Sequence, residues 1–152
     1  MNCFRRAVIA SALALLVGGL PTEGESAPPV SESLGYAISG YDVVAYHAAG
    51  TAQQGRVEHS FKWRDATWLF ASADNRAKFA ANPELYAPQY GGHCALAMTD
   101  GKKSRGDPLA WTMHKGKLYL NGGKEVRDRW MMGTSANISK ADSWWERLYA
   151  KQ

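Results

Sequence analysis

Gly91 and Gly92 stand side by side inside the run Tyr86-Ala87-Pro88-Gln89-Tyr90-Gly91-Gly92-His93-Cys94-Ala95-Leu96-Ala97-Met98. No other feature restricts the fold as tightly. Neither residue has a Cβ, so the backbone there can turn sharply or let another group come close. Both glycines are therefore read as a structural turn. Directly behind the hinge come an imidazole (His93), a thiol (Cys94) and, four residues on, a thioether (Met98). If Cys94 to Met98 is helical, the two sulfurs lie on one face, because residues i and i+4 are neighbours. Imidazole, thiol and thioether form a soft-metal ligand set. The same residues also suit plain packing, since a free cysteine behaves as a small buried hydrophobe and methionine fills gaps.

Cys94 is the only cysteine outside the N-terminal leader. Residues 1–27 have the form of a secretory signal: Arg5 and Arg6, then an apolar run from Ala7 to Val17 that is too short to span a bilayer. Pro21 and small residues follow, with cleavage expected near Ser26 or Ala27. Cys3 precedes the apolar run and leaves with the leader. This predicts a periplasmic or secreted protein with no membrane attachment once the leader is gone. An exported chain meets an oxidising compartment, yet one remaining cysteine allows no intramolecular disulfide. About 125 residues are left, enough for one domain with its own core. The formal charge of +4, from 18 Lys and Arg against 14 Asp and Glu, is modest. No basic run is interleaved with aromatics, so nucleic acid is not an expected partner.

Along the chain, residues 28–39 are Pro/Ser/Glu-rich at the start and read as a flexible arm leading into a domain over 40–152. Asp42 caps a short helix that Gly50 stops. His59 to Ala71 alternates around Arg64-Asp65, with Phe61, Trp63, Trp68 and Phe70 as the faces of a hairpin. Ser72 caps a helix ending at Asn82-Pro83. Ala110 to Asn121 is a second hairpin about Lys115-Gly116. Lys124 to Met132 forms a helix, and Ile138, Ala141, Trp145, Leu148 and Tyr149 recur at helical spacing behind a Ser139/Asp142 capping box. The expected fold is α+β: a small single domain with two short antiparallel hairpins packed on several short helices. No internal repeat of useful length is visible in the residues.

Four segments resemble secreted bacterial YHS-domain proteins, relatives of the TRASH-like metal-binding modules. They are Ser39-Gly40-Tyr41-Asp42-Val43-Val44-Ala45-Tyr46, Thr67 to Arg76, Asn82 to Gly92, and Gly116-Lys117-Leu118-Tyr119-Leu120-Asn121. The resemblance covers nearly the whole exported chain and implies a small α+β domain. Metal-binding members of the wider family carry three cysteines that fall here at Ala45, Ala71 and Asn75, and a methionine that falls at His47. Many secreted relatives have tyrosine where His93 stands. The family's soft-metal site is therefore not transferable to this chain, and Cys94 lies outside it.

Two functions follow. The first is periplasmic soft-metal binding, with Cu(I) the ion best suited to Cys94 supported by His93, His47 or Met98. The second is a non-catalytic binding or scaffold module that has lost the family's metal site. A thiol enzyme is not expected, because no nucleophile signature surrounds Cys94 and neighbouring His93 is not thereby placed on the sulfur. No protein partner is legible. If a site has been rebuilt, His47, His93 and Cys94 should converge beside Ala45, Ala71 and Asn75.

Overall fold

A computed structural model describes residues 29–149. The expected leader therefore lies outside the described residues. The fold is α+β, built from three antiparallel two-stranded sheets and six helices. β1 (Glu32–Ser33) and β2 (Tyr36–Ala37) form a small hairpin about Leu34-Gly35, both of which have positive φ. Residues expected to be a loose arm are thus docked over their described part. Ser31 donates to the Gly91 carbonyl, Ile38 donates back to Ser31, and Ala37 is fully buried. The Pro/Ser/Glu composition hid this because the anchoring is made by backbone groups.

Asp42 caps α1 (Val43–Ala49), and Gly50 ends it in the left-handed region at φ 61°. β3 (Arg56–Trp63) pairs with β4 (Ala66–Phe70). α2 (Ala73–Ala81) starts on the Ser72 hydroxyl, which accepts from the Asn75 amide at 3.1 Å, and α3 (Pro83–Tyr86) opens on its proline. Cys94 then precedes α4 (Ala95–Met98), followed by the hairpin β5 (Asp107–His114) and β6 (Lys117–Asn121). α5 (Lys124–Met131) and α6 (Thr134–Tyr149) close the chain. Ser139 is no cap: it lies inside α6, which begins at Thr134. Asp142 instead accepts from the Tyr90 hydroxyl at 2.8 Å. Among the described residues no helix is long and apolar enough to cross a membrane.

The backbone repeats itself, contrary to the expectation from the residues. Ile38-Ser39-Gly40 turns through three positive φ values (42°, 58°, 78°), and Tyr90-Gly91-Gly92 does the same (55°, 61°, 82°). Tyr41 bridges to Gln54, and His93 bridges to Arg105, both antiparallel. The Asp42 amide donates to Gln53 at 2.8 Å, and the Cys94 amide donates to Ser104 at 2.8 Å. An eight-residue strand and a five-residue strand follow in each half, and each hairpin turns on two left-handed residues, Arg64-Asp65 and Lys115-Gly116. Their registers break at the same place, between Arg56↔Phe70 and Ser60↔Leu69 and between Asp107↔Asn121 and Trp111↔Leu120. A helix with one fully buried aromatic closes each half, Phe79 on α2 and Trp130 on α5. In this correspondence Asp42 matches Cys94, Ala71 matches Gly122, and Asn75 matches Val126.

Two apolar cores hold the halves. The larger contains Ile38, Val43, Val44, Tyr46, Trp68, Phe70 and Phe79 together with Leu118 and Leu120. The smaller contains Tyr90, Ala95, Met98, Tyr119, Trp130 and Ala141. β6 serves both, because successive side chains leave a strand on opposite faces: Leu118 and Leu120 enter one core and Tyr119 the other.

Candidate functional site

The three positions where the sequence resemblance places family thiols do come together, and they meet on Asp42. This residue is fully buried. Its Oδ1 accepts from the amides of Val44 (2.8 Å) and Ala45 (3.3 Å). Its Oδ2 accepts from the Ala71 amide (2.8 Å) and the Asn75 side-chain Nδ2 (2.7 Å). A carboxylate removed from water is tolerable only when its lone pairs are taken up, and four N–H donors do that here. The cap expected of Asp42 is thus also a clasp, tying α1 to the end of β4 and the first turn of α2.

The four candidate ligands stand in different surroundings. His47 is on α1 with its ring edge-to-face on Tyr86 at 5.3 Å between centroids. Its Nε2 is sealed from solvent and has no hydrogen-bond partner among the described residues. Burial holds its pKa below the ordinary histidine value, and the Tyr86 backbone offsets this in part. The His93 Nδ1 lies 2.9 Å from the Tyr90 carbonyl, which can only accept, so Nδ1 carries the proton. The His93 ring lies 6.4 Å from that of Trp145. Burial lowers this histidine's pKa too, against the Tyr90 carbonyl and helped by Lys103. Met98 is fully buried in the smaller core. Cys94, 3% exposed, caps nothing with its side chain. Instead its Sγ accepts from the Gly122 amide at 3.2 Å and its thiol donates to the Asn121 Oδ1 at 3.9 Å. No group of three or more His, Cys, Asp or Glu is assembled for a metal among the described residues.

The hinge glycines are required by close approach as well as by φ. A Cβ on Gly92 would sit 2.6 Å from the Ile38 Cγ2, and one on Gly91 would run into the Pro29 carbonyl. The two left-handed turns therefore pack directly against each other.

Sequence reasoning missed Asn121 and Gly122. Asn121 is fully buried. Its Oδ1 accepts from the Leu96 amide at 3.1 Å, while its Nδ2 is sealed and without a partner among the described residues. The residues alone gave no signal: Asn121 shares a face of β6 with Tyr119, opposite Leu118 and Leu120, and only the second core buries that face. Two clefts flank the segment. One of about 420 Å³ is lined by Cys94, Ala97, Lys102, Gly122, Val126 and Arg129 among others. The other, of about 630 Å³, lies over Ser33, Ser39 and Arg105, whose Nη1 donates to the Ser33 hydroxyl at 3.1 Å. No family model matches the chain. No curated protein and no solved structure matches it significantly either.

Proposed function

We propose that this chain is an exported, non-catalytic binding module of YHS type, in which a buried carboxylate stands where metal-binding relatives hold an ion. The observation that carries the reading is the Asp42 clasp. The Ala45 and Ala71 amides and the Asn75 side chain, at the three expected thiol positions, all donate to one carboxylate. A clasp of N–H donors around an anion is the opposite of a cation site, whose ligands must present lone pairs. The separate surroundings of His47, His93 and Met98 agree with it.

The test is thermal unfolding with and without Cu(I), Zn2+ and Ni2+. A ligand that binds only the native state raises stability. The midpoint is expected to stay unchanged with all three ions. A rise with Cu(I) that disappears in Cys94→Ser would replace this reading with soft-metal binding through Cys94.

A further inference from the structure

The cleft of about 630 Å³ holds two opposite charges that do not meet. Arg105 bridges to His93 just before the second hairpin, and Asp107 begins β5. Residues two apart in an extended segment share a face, so both line the cleft from one wall. Each side chain is drawn away from the other. The Arg105 Nη1 donates to the Ser33 hydroxyl on β1 at 3.1 Å, and the Asp107 Oδ1 accepts from the Leu109 amide at 2.8 Å. Neither residue enters a salt bridge among the described residues. The backbone plan does not require the pair. By the bridges and the register breaks, Gln54 stands in the first half where Arg105 stands in the second, and Arg56 where Asp107 stands. Gln54 carries no charge, and Arg56 is already in a salt bridge with Glu58 at 3.7 Å. Only the glycine between them is kept, because a Cβ on Gly55 or Gly106 would lie 2.4 or 2.3 Å from backbone atoms. Leu34, from the β1–β2 hairpin, also lines the cleft. It is 87% exposed and holds φ 57°, a region uncommon for a residue with a side chain.

We propose that this cleft binds a free α-amino acid with an apolar side chain. The Arg105 guanidinium takes the carboxylate through charge-assisted hydrogen bonds. Asp107 takes the ammonium on Oδ2, since its Oδ1 is held by the Leu109 amide. Leu34 covers the side chain of the ligand, and the Ser39 hydroxyl lies in the same lining for a further polar contact. A ligand with both charges suits this wall better than one with either alone. A simple anion on Arg105 would stand beside a like charge on Asp107, and a simple cation on Asp107 would stand beside Arg105. The volume falls within the range of small-molecule sites, about 300–1,000 Å³. This inference deepens the binding-module reading and rests on it, but it uses none of the residues of the Asp42 clasp.

The experiment titrates the full chain with L-leucine, N-acetyl-L-leucine and L-leucinamide in a calorimeter. The second ligand lacks the ammonium and the third lacks the carboxylate. We expect saturable binding of L-leucine, and affinity at least about tenfold lower for each blocked form. Arg105→Gln restores the uncharged side chain of the first half, and Asp107→Asn keeps an Oδ1 for the Leu109 amide. Each should weaken L-leucine binding about tenfold or more while the melting midpoint stays in place. No saturable binding of L-leucine up to about 10 mM would overturn the proposal. So would equal binding of either blocked form to the wild-type protein, or undiminished binding in either variant. None of these results touches the Asp42 clasp, which the metal titration tests by itself.

Discussion

Asp42 shows how much one side chain can determine. A sequence reading gives it one task, capping α1, because the pattern Asp-Val-Val-Ala displays only local partners. Two of its four donors come from a hairpin and helix about thirty residues away in sequence, at Ala71 and Asn75. Asp42→Asn keeps the size but turns one acceptor into a donor facing other donors. Hydrogen bonds to charged groups and the desolvation of buried polar atoms set the scale, so a loss of about 3 kcal/mol is expected. A lower urea midpoint with unchanged slope would register it; an unchanged midpoint would show that the charge is dispensable. His47 is the opposite case, with an Nε2 that is buried and has no hydrogen-bond partner among the described residues. Burial lowers its pKa in the folded state, so the unfolded chain binds protons more readily. Stability is then full above the ordinary histidine pKa of about 6.5 and declines as pH falls below it. In His47→Phe the decline between about pH 6.5 and 5 should be shallower, and stability at pH 7 should not fall, because Phe keeps the contact with Tyr86 and removes the unpaired Nε2. Melting curves across that range check both.

At the scale of elements, the Gly91-Gly92 turn has to follow Tyr90 through the left-handed region, then pass Ile38 at close range. Gly92→Val meets both obstacles, a strained φ and a clash, and should cost about 3 kcal/mol or more in urea unfolding. Retention of the wild-type midpoint would mean that the turn can be rebuilt. The two hairpins were legible in the residues because aromatic alternation and the turn pairs Arg64-Asp65 and Lys115-Gly116 are local signals. The helices capped by Asp42 and Ser72 were legible for the same reason. The β1–β2 hairpin was not, since two strands of two residues have no period to display. Nor was the start of α6: Ser139 and Asp142 imitate a capping box, while the helix begins at Thr134 after Gly133. The candidate site was legible in part. Ala45, Ala71 and Asn75 were expected together and are, but what joins them is Asp42. His93 and Cys94 were adjacent in sequence, yet their side chains find different partners, the Tyr90 carbonyl and the Gly122 amide.

For the whole molecule, the repeat shows why two hairpins sharing few residues adopt one backbone plan. Each half needs a left-handed turn, a residue accepting the amide beyond its hairpin, and a buried aromatic on the closing helix. These demands are met by Gly40 or Gly92, by Asp42 or Cys94, and by Phe79 or Trp130. Only the glycine keeps its identity, so periodicity in the sequence could not reveal the plan. The halves are then welded rather than strung together. Leu118 and Leu120 of the second hairpin complete the core of the first half, Ser31 bonds to Gly91, and the Tyr46 hydroxyl donates to the Pro108 carbonyl at 2.9 Å. Burial pushes the Tyr46 pKa above the ordinary tyrosine range, so the hydroxyl keeps its proton and remains a donor at physiological pH. A weld of this kind predicts one cooperative transition. Tyr46→Phe removes this one buried hydrogen bond to the Pro108 carbonyl, which should cost about 1–2 kcal/mol. If the halves unfold as one unit, slow-exchanging amides of β4 and β6 must lose the same protection free energy, although Tyr46 belongs to the first half and Pro108 to the second. Hydrogen exchange followed at Phe70 and Leu120 measures this directly. Loss of protection at one strand without the other would show two units that merely touch.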